Sequence, residues 1–124
     1  MFLDNPITGI GINNFKYLCT LDEYYKNMML NYDCASHPHN IYIQWLAEGG
    51  IIVFTFFIIY LFILLELIIN NVGDKKYKII SLVIIIAMFW PIMSTGSLIK
   101  NWYGVTTFFI IGMCMCLSKF KNNN

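Results

Sequence analysis

The feature that most limits what this chain can fold into is an apolar run from Gly50 to Ile69, interrupted only by Thr55 and Glu66. About 20 such residues in a helix cross the hydrocarbon core of a bilayer, and a helix that is apolar all round has no face for water. Two further apolar runs follow it, and only 12% of the chain is charged, against about 25% in soluble domains. The sequence therefore predicts an all-α integral membrane protein with about three transmembrane helices.

The polar breaks between these runs give the predicted boundaries. A loop segment is predicted over 1–50, with a short helix over 37–49. Transmembrane helices are predicted over 51–69, 79–99 and 105–118, turns over 70–78 and 100–104, and a tail over 119–124. Pro91 and the Ser-Thr-Gly-Ser sequence at 94–97 interrupt the second run. They indicate either a kinked helix end with a tight turn or irregular backbone that enters a site, because such backbone is tolerated at membrane depth only when protein or a cavity surrounds it.

Lysine placement predicts the orientation. The 70–78 turn carries Lys75, Lys76 and Lys78, and the tail carries two more lysines, so both are expected in the cytoplasm and residues 1–50 outside. The first residues lack the basic and apolar regions of a signal peptide. We therefore expect the chain to be the C-terminal part of a larger polytopic protein, with an upstream half of the same protein as a partner.

Composition narrows the remaining classes. The net charge is +1 and no arginine is present, so no basic surface indicates nucleic-acid binding. Cys114 and Cys116 lie in an apolar block and are expected to pack there. Cys19 and Cys34 lie in the polar segment and could form a disulfide if that segment faces an oxidising compartment.

The stretch from Ser36 to Gly50 carries the residues with chemical potential. Ser36 is a suitable helix N-cap, and Pro38 is tolerated in a first turn. A helix from this point places Asn40, Gln44 and Glu48 on one stripe. His37 and His39 then lie at the positive end of the helix, which favours a neutral ring able to accept a proton and offers backbone N–H groups to a phosphate.

Other interpretations of the two histidines stay open. They could serve only as hydrogen-bonding groups at the helix start, or they could bind a metal together with Asp33 or Glu48. Their spacing matches no common zinc pattern, so no metal is predicted. Gly9 and Gly11 lack the strand–helix surroundings of a dinucleotide-binding loop and are more typical of a turn.

Three segments, in this order, are similar to the O-antigen ligase and polymerase family of bacterial membrane glycosyltransferases. The first is Asn5-Pro6-Ile7-Thr8-Gly9-Ile10-Gly11, continuing to Phe15. The second is His37-Pro38-His39-Asn40-Ile41-Tyr42-Ile43-Gln44, continuing to Glu48 and to Gly50-Ile51-Ile52. The third, weaker, is Pro91 with Ser94-Thr95-Gly96-Ser97. One departure is Val53, where the ligase pattern has Gly, Thr or Tyr.

The resemblance implies a GT-C-like protein that transfers a glycan from an undecaprenyl-pyrophosphate carrier to lipid A-core or another glycan acceptor, at the periplasmic side of the inner membrane, without cofactor or metal. His39 matches the family's loop histidine and is the expected catalytic base, with substrate-binding roles expected for His37, Asn40, Gln44, Glu48 and Lys100. The family's functional arginines have no match in this chain. A polymerase of the same family, or a truncated chain that is inactive alone, are the alternatives.

Overall fold

The computed structural model describes residues 1–21, 37–92, 94–99 and 101–116, and these residues contain helices, turns and irregular chain but no strand. The described residues form four helices: α1 (Phe15–Leu21), α2 (Ile41–Asn71), α3 (Lys75–Met88) and α4 (Asn101–Cys116). The predicted all-helical class is confirmed for this part of the chain.

Helix α2 is the element that supports the membrane assignment. It has 31 residues and is long and apolar enough to cross a bilayer. Helix α3 has 14 residues, and the apolar helix α4 has 16, both fewer than the roughly 20 of a full span. The residues that the structure describes therefore contain one helix of membrane length, and three crossings stay a prediction.

Several helix boundaries differ from the predicted ones. Helix α2 begins at Ile41 rather than at residue 37, because Asn40 caps it. Helix α3 begins at Lys75, capped by the Asp74 carboxylate, which accepts from Lys76 N at 2.8 Å. It ends at Met88, consistent with the poor fit of the residue before Pro91 to helical geometry. Helix α4 begins within the predicted 100–104 turn, and the seven-residue helix α1 was not predicted.

The chain divides into two units. The first contains Met1–Phe56 and Ser94–Ser97, and the second contains Phe57–Met93 and Leu98–Asn124. Within the second unit the Phe57 and Phe89 rings lie 6.2 Å apart at 57°, a tilted arrangement that aromatic pairs favour. Gly104 lets the chain approach closely there, because a Cβ atom at this position would lie 2.3 Å from Leu98 O.

The first unit has an unusually polar interior. Among the described residues of this unit, the buried apolar side chains are Cys19, Ile41 and Ala47, and four polar side chains are also buried: Gln44, Glu48, Thr95 and Ser97. Cys19 is fully buried and disulfide-bonded. Its predicted partner, Cys34, lies outside the described residues.

Candidate functional site

The site is built around a break in helix α2 at Gly50. This residue has φ 64° and ψ −167°, far from helical values, although helix continues on both sides. A break of this kind leaves N–H groups after it and carbonyl groups before it without their usual partners in the helix. These groups need other hydrogen bonds, since the residues around the break include the buried Ala47, Glu48 and Gly49.

The N-terminal segment supplies those bonds in both directions. Ile10 N and Gly11 N donate to the carbonyl oxygens of Ala47 and Glu48 at 3.0 and 2.9 Å. In return, Ile51 N donates to Pro6 O at 2.9 Å, and Ile52 N donates to Ile7 O at 3.4 Å. Residues 6–11 therefore replace the helical hydrogen bonds lost at Gly50, and we call this arrangement the interlock.

Two glycines make the interlock possible. A Cβ atom on Gly9 would lie 2.4 Å from the carbonyl of Glu48, and one on Gly50 would lie 2.3 Å from the carbonyl of Ile7. Both residues also have positive φ, 67° and 64°, which residues with a side chain seldom adopt. Gly9 was predicted to serve a turn, and in the structure it allows the N-terminal segment to contact the broken helix.

The start of helix α2 is closed by Asn40. Its side-chain Oδ1 accepts from Tyr42 N at 2.9 Å and from Ile43 N at 3.2 Å, and its carbonyl accepts from Gln44 N. The first-turn N–H groups expected to be open to a phosphate are therefore largely used by the cap. Burial raises the pKa of the neighbouring Tyr42 phenol, so this hydroxyl stays neutral at physiological pH.

The two histidines lie together in the turn before the cap. Their ring centroids are 4.8 Å apart at an angle of 59°. The His39 side chain is exposed, whereas that of His37 is half-buried. The His39 main chain is held in place, because its carbonyl accepts from Thr95 N at 2.8 Å. An exposed imidazole on a fixed backbone can exchange protons with a bound molecule, as a general base must.

Gln44 and Glu48 lie behind this turn in a buried polar cluster. Gln44 Nε2 donates to Glu48 Oε2 at 3.2 Å and to Ser97 Oγ at 2.8 Å. Of the predicted stripe, Gln44 and Glu48 lie on α2 and Asn40 lies at its cap. Only Asn40 lies next to the exposed His39, and the other two face a protein interior.

The 94–97 segment is also part of this candidate site, and the sequence indicated this only as one of two possible arrangements. Thr95 and Ser97 contact the His39 turn and Gln44, so the irregular chain after Pro91 enters a site, one of the two arrangements considered for it. The Thr95 hydroxyl is buried and has no hydrogen-bond partner among the described residues. The signal that could have identified Ser97 was its place in a Ser-Thr-Gly-Ser sequence within an apolar run.

The predicted substrate-binding residue Lys100 lies outside the described residues. So does Asp33, which was considered as a metal ligand. Among the residues that the structure does describe, no three histidine, cysteine or acidic side chains are grouped as metal ligands would be.

The long apolar helix, with a histidine turn at its capped start, is typical of a helical membrane protein and carries a candidate acid–base site. A family model described as O-antigen ligase matches residues 1–58. The predicted resemblance is thus confirmed over the segment that holds the interlock and the histidine turn, and it indicates a membrane function of the O-antigen ligase or polymerase type. No curated protein and no solved structure matches the chain.

Proposed function

We propose that this chain takes part in glycan transfer from an undecaprenyl-pyrophosphate carrier to an acceptor hydroxyl, with lipid A-core as the ligase-type acceptor. The reaction is placed at the periplasmic face of the bacterial inner membrane. The observation that carries the proposal is the exposed His39, in the family-matched segment and directly before the start of α2, whose apolar part begins after the break at Gly50. A base placed there lies close to both a lipid-linked donor and water.

The proposed reaction is a direct displacement. His39 accepts the proton of the acceptor hydroxyl, and the acceptor oxygen forms a bond to the anomeric carbon of the donor glycan. The bond between that carbon and the pyrophosphate oxygen breaks, and undecaprenyl pyrophosphate leaves with the bonding electron pair. A positioned base of this kind contributes roughly 10²–10⁴-fold to a rate.

The neighbouring residues have proposed supporting roles. His37, whose ring lies 4.8 Å from that of His39, and Asn40, at the helix start, are placed to contact the acceptor or the donor glycan. Lys100 remains a proposed contact for the pyrophosphate. Substrate binding by Gln44 and Glu48 stays a prediction. Their burial supports a positioning role within the protein instead.

The membrane side is also a proposal, and two observations support it. The disulfide bond of Cys19 fits an oxidising compartment, in which such bonds persist. The lysines at 75, 76 and 78 follow the apolar helix, which fits a cytoplasmic turn after it. Residues 1–50 then lie in the periplasm.

A polymerase of the same family is the second candidate, because Val53 departs from the ligase pattern. A polymerase extends the lipid-linked glycan rather than attaching it to lipid A-core. Glycan profiles of a strain lacking the gene separate the two. Loss of all polymer on lipid A-core supports a ligase, single repeat units on lipid A-core support a polymerase, and an unchanged profile contradicts both.

The base assignment has its own test. In the complete protein, His39→Ala and His39→Gln are expected to abolish glycan transfer with unchanged abundance in the membrane, because neither side chain can accept the proton. Thr20→Ala is the control, since the Thr20 hydroxyl donates, within the part of the chain that the structure describes, to the carbonyls of Lys16 and Tyr17 in α1. Normal surface glycan in His39→Gln cells would contradict the assignment.

A further inference from the structure

The buried polar cluster behind the histidine turn calls for an explanation that substrate contact does not provide. Glu48 is 1% exposed, Ser97 2%, Gln44 3% and Thr95 5%. Burying polar groups is costly unless they are hydrogen-bonded. Side chains this deeply buried do not meet a glycan in this conformation, so their contacts with each other must carry their role.

Glu48 determines how the Gln44 side chain is oriented. A carboxylate only accepts hydrogen bonds, whereas a glutamine amide has one donating and one accepting end. The 3.2 Å bond to Glu48 Oε2 therefore requires the NH₂ end of Gln44 to face the carboxylate. The NH₂ end of Gln44 is thereby also turned toward Ser97, because the same nitrogen contacts both partners.

The oriented amide then holds a distant part of the chain. The same Gln44 Nε2 donates to Ser97 Oγ at 2.8 Å across 53 positions of sequence. Two residues earlier, Thr95 N donates to His39 O at 2.8 Å. The 94–97 segment is thus attached to the start of α2 at two points, one of which is the backbone of His39.

We propose that Glu48 and Gln44 are positioning residues, which act through Ser97 to hold the 94–97 segment against the His39 backbone and so fix the imidazole for proton transfer. The proposal rests on the proposed function for its link to the reaction, but the physical attachment can be tested without it. The proposed reaction stays the same. The new element is a series of contacts that leads from the buried Glu48 side chain through Gln44 and the 94–97 segment to the His39 backbone.

The attachment is tested by hydrogen exchange on the full-length protein in nanodiscs. Ser97→Ala removes the acceptor of the Gln44 bond and is expected to speed exchange of the Thr95 amide about tenfold, the effect of losing one hydrogen bond of ordinary strength. Ser97→Thr keeps the hydroxyl and should leave exchange within about threefold of the unmodified protein. Ser81→Ala is the matched control, because Ser81 is equally buried but its hydroxyl has no partner among the described residues.

The link to the reaction is tested with the same variants. The donor is undecaprenyl-pyrophosphate-linked glycan extracted from the source cells, and the acceptor is lipid A-core from the gene-deleted strain. Ser97→Ala is expected to lower kcat about tenfold, since slight misplacement of a reacting group is costly, with the KM for the acceptor within about twofold. Ser97→Thr is expected to restore kcat, and Ser81→Ala to leave it unchanged.

The results test the attachment, its role in positioning and the proposed function separately. Unchanged exchange of the Thr95 amide in Ser97→Ala overturns the attachment, whatever the activity. Faster exchange with normal kcat overturns its role in positioning. Absence of transfer by the unmodified protein overturns the proposed function, and normal transfer by His39→Ala overturns the assignment of His39 as the base. The exchange result stands by itself in either case.

Discussion

At the scale of single residues, Gly50 is a position that has no room for a side chain. Its positive φ costs a residue with a Cβ atom about 1–2 kcal/mol, and that atom would also press on the Ile7 carbonyl at 2.3 Å. We expect Gly50→Ala to lower the free energy of unfolding in detergent by about 2 kcal/mol or more. Gly112→Ala is the control, because nothing lies within 4 Å of its added Cβ, and alanine at a helical position should stabilise by roughly 0.5–1 kcal/mol. Equal effects of the two changes would contradict the close approach at Gly50.

Asn40 combines a structural role with a proposed functional one, and two substitutions separate them. Asn40→Ala removes the cap of α2 and is expected to cost about 1 kcal/mol of stability. Asn40→Asp keeps the accepting oxygen and the stability but adds a negative charge at a proposed contact to the donor glycan, which carries an anionic pyrophosphate. It should therefore raise the KM for the anionic donor while the unfolding curve stays unchanged. An unchanged KM in Asn40→Asp would remove Asn40 from the donor site.

At the scale of elements, α2 consists of two helical parts that the N-terminal segment joins. The carbonyls of Pro6 and Ile7 accept the hydrogen bonds that carbonyls of a continuous helix would accept. The donors are the backbone N–H groups of Ile51 and Ile52. We expect these two amides to exchange slowly in the unmodified protein and at least tenfold faster in Gly9→Ala, whose Cβ would clash with the Glu48 backbone. Residue-resolved hydrogen exchange measures this. Slow exchange retained in Gly9→Ala would show that the helix after the break needs no partner segment.

Elements with a strong local signal were predictable, and those that depend on distant partners were not. The apolar run after Gly50 and the histidine turn before it follow from residue type and spacing. The structure places the run on α2 and the turn directly before the start of α2. The start of α2 was predicted too early, because Ser36 and Asn40 are both good caps and only the three-dimensional contacts select between them. The bond between Gln44 and Ser97 spans 53 positions, so no local pattern could have indicated it.

At the scale of the whole molecule, the candidate site belongs to one of the two units. The family match ends at residue 58, close to Phe56, where the first stretch of that unit ends. Residues 94–97 join the same unit from outside the matched range. One structural unit therefore contains the interlock, the histidine turn and the 94–97 segment. This explains how three separate stretches of the sequence can form one candidate site.

The position of that body relative to the membrane is the remaining question, and thiol labelling in intact cells answers it. In a background with Cys114 and Cys116 replaced by serine, His39→Cys should react with a membrane-impermeant maleimide, because residue 39 is exposed and is proposed to face the periplasm. Lys75→Cys, also exposed, should react only after the inner membrane is permeabilised, since lysine-rich turns are retained in the cytoplasm. Cys19 should stay unlabelled until a reductant opens its disulfide. If residue 39 were labelled only after permeabilisation, the imidazole would lie on the side opposite to the proposed lipid-linked donor, and glycan transfer by His39 would be excluded.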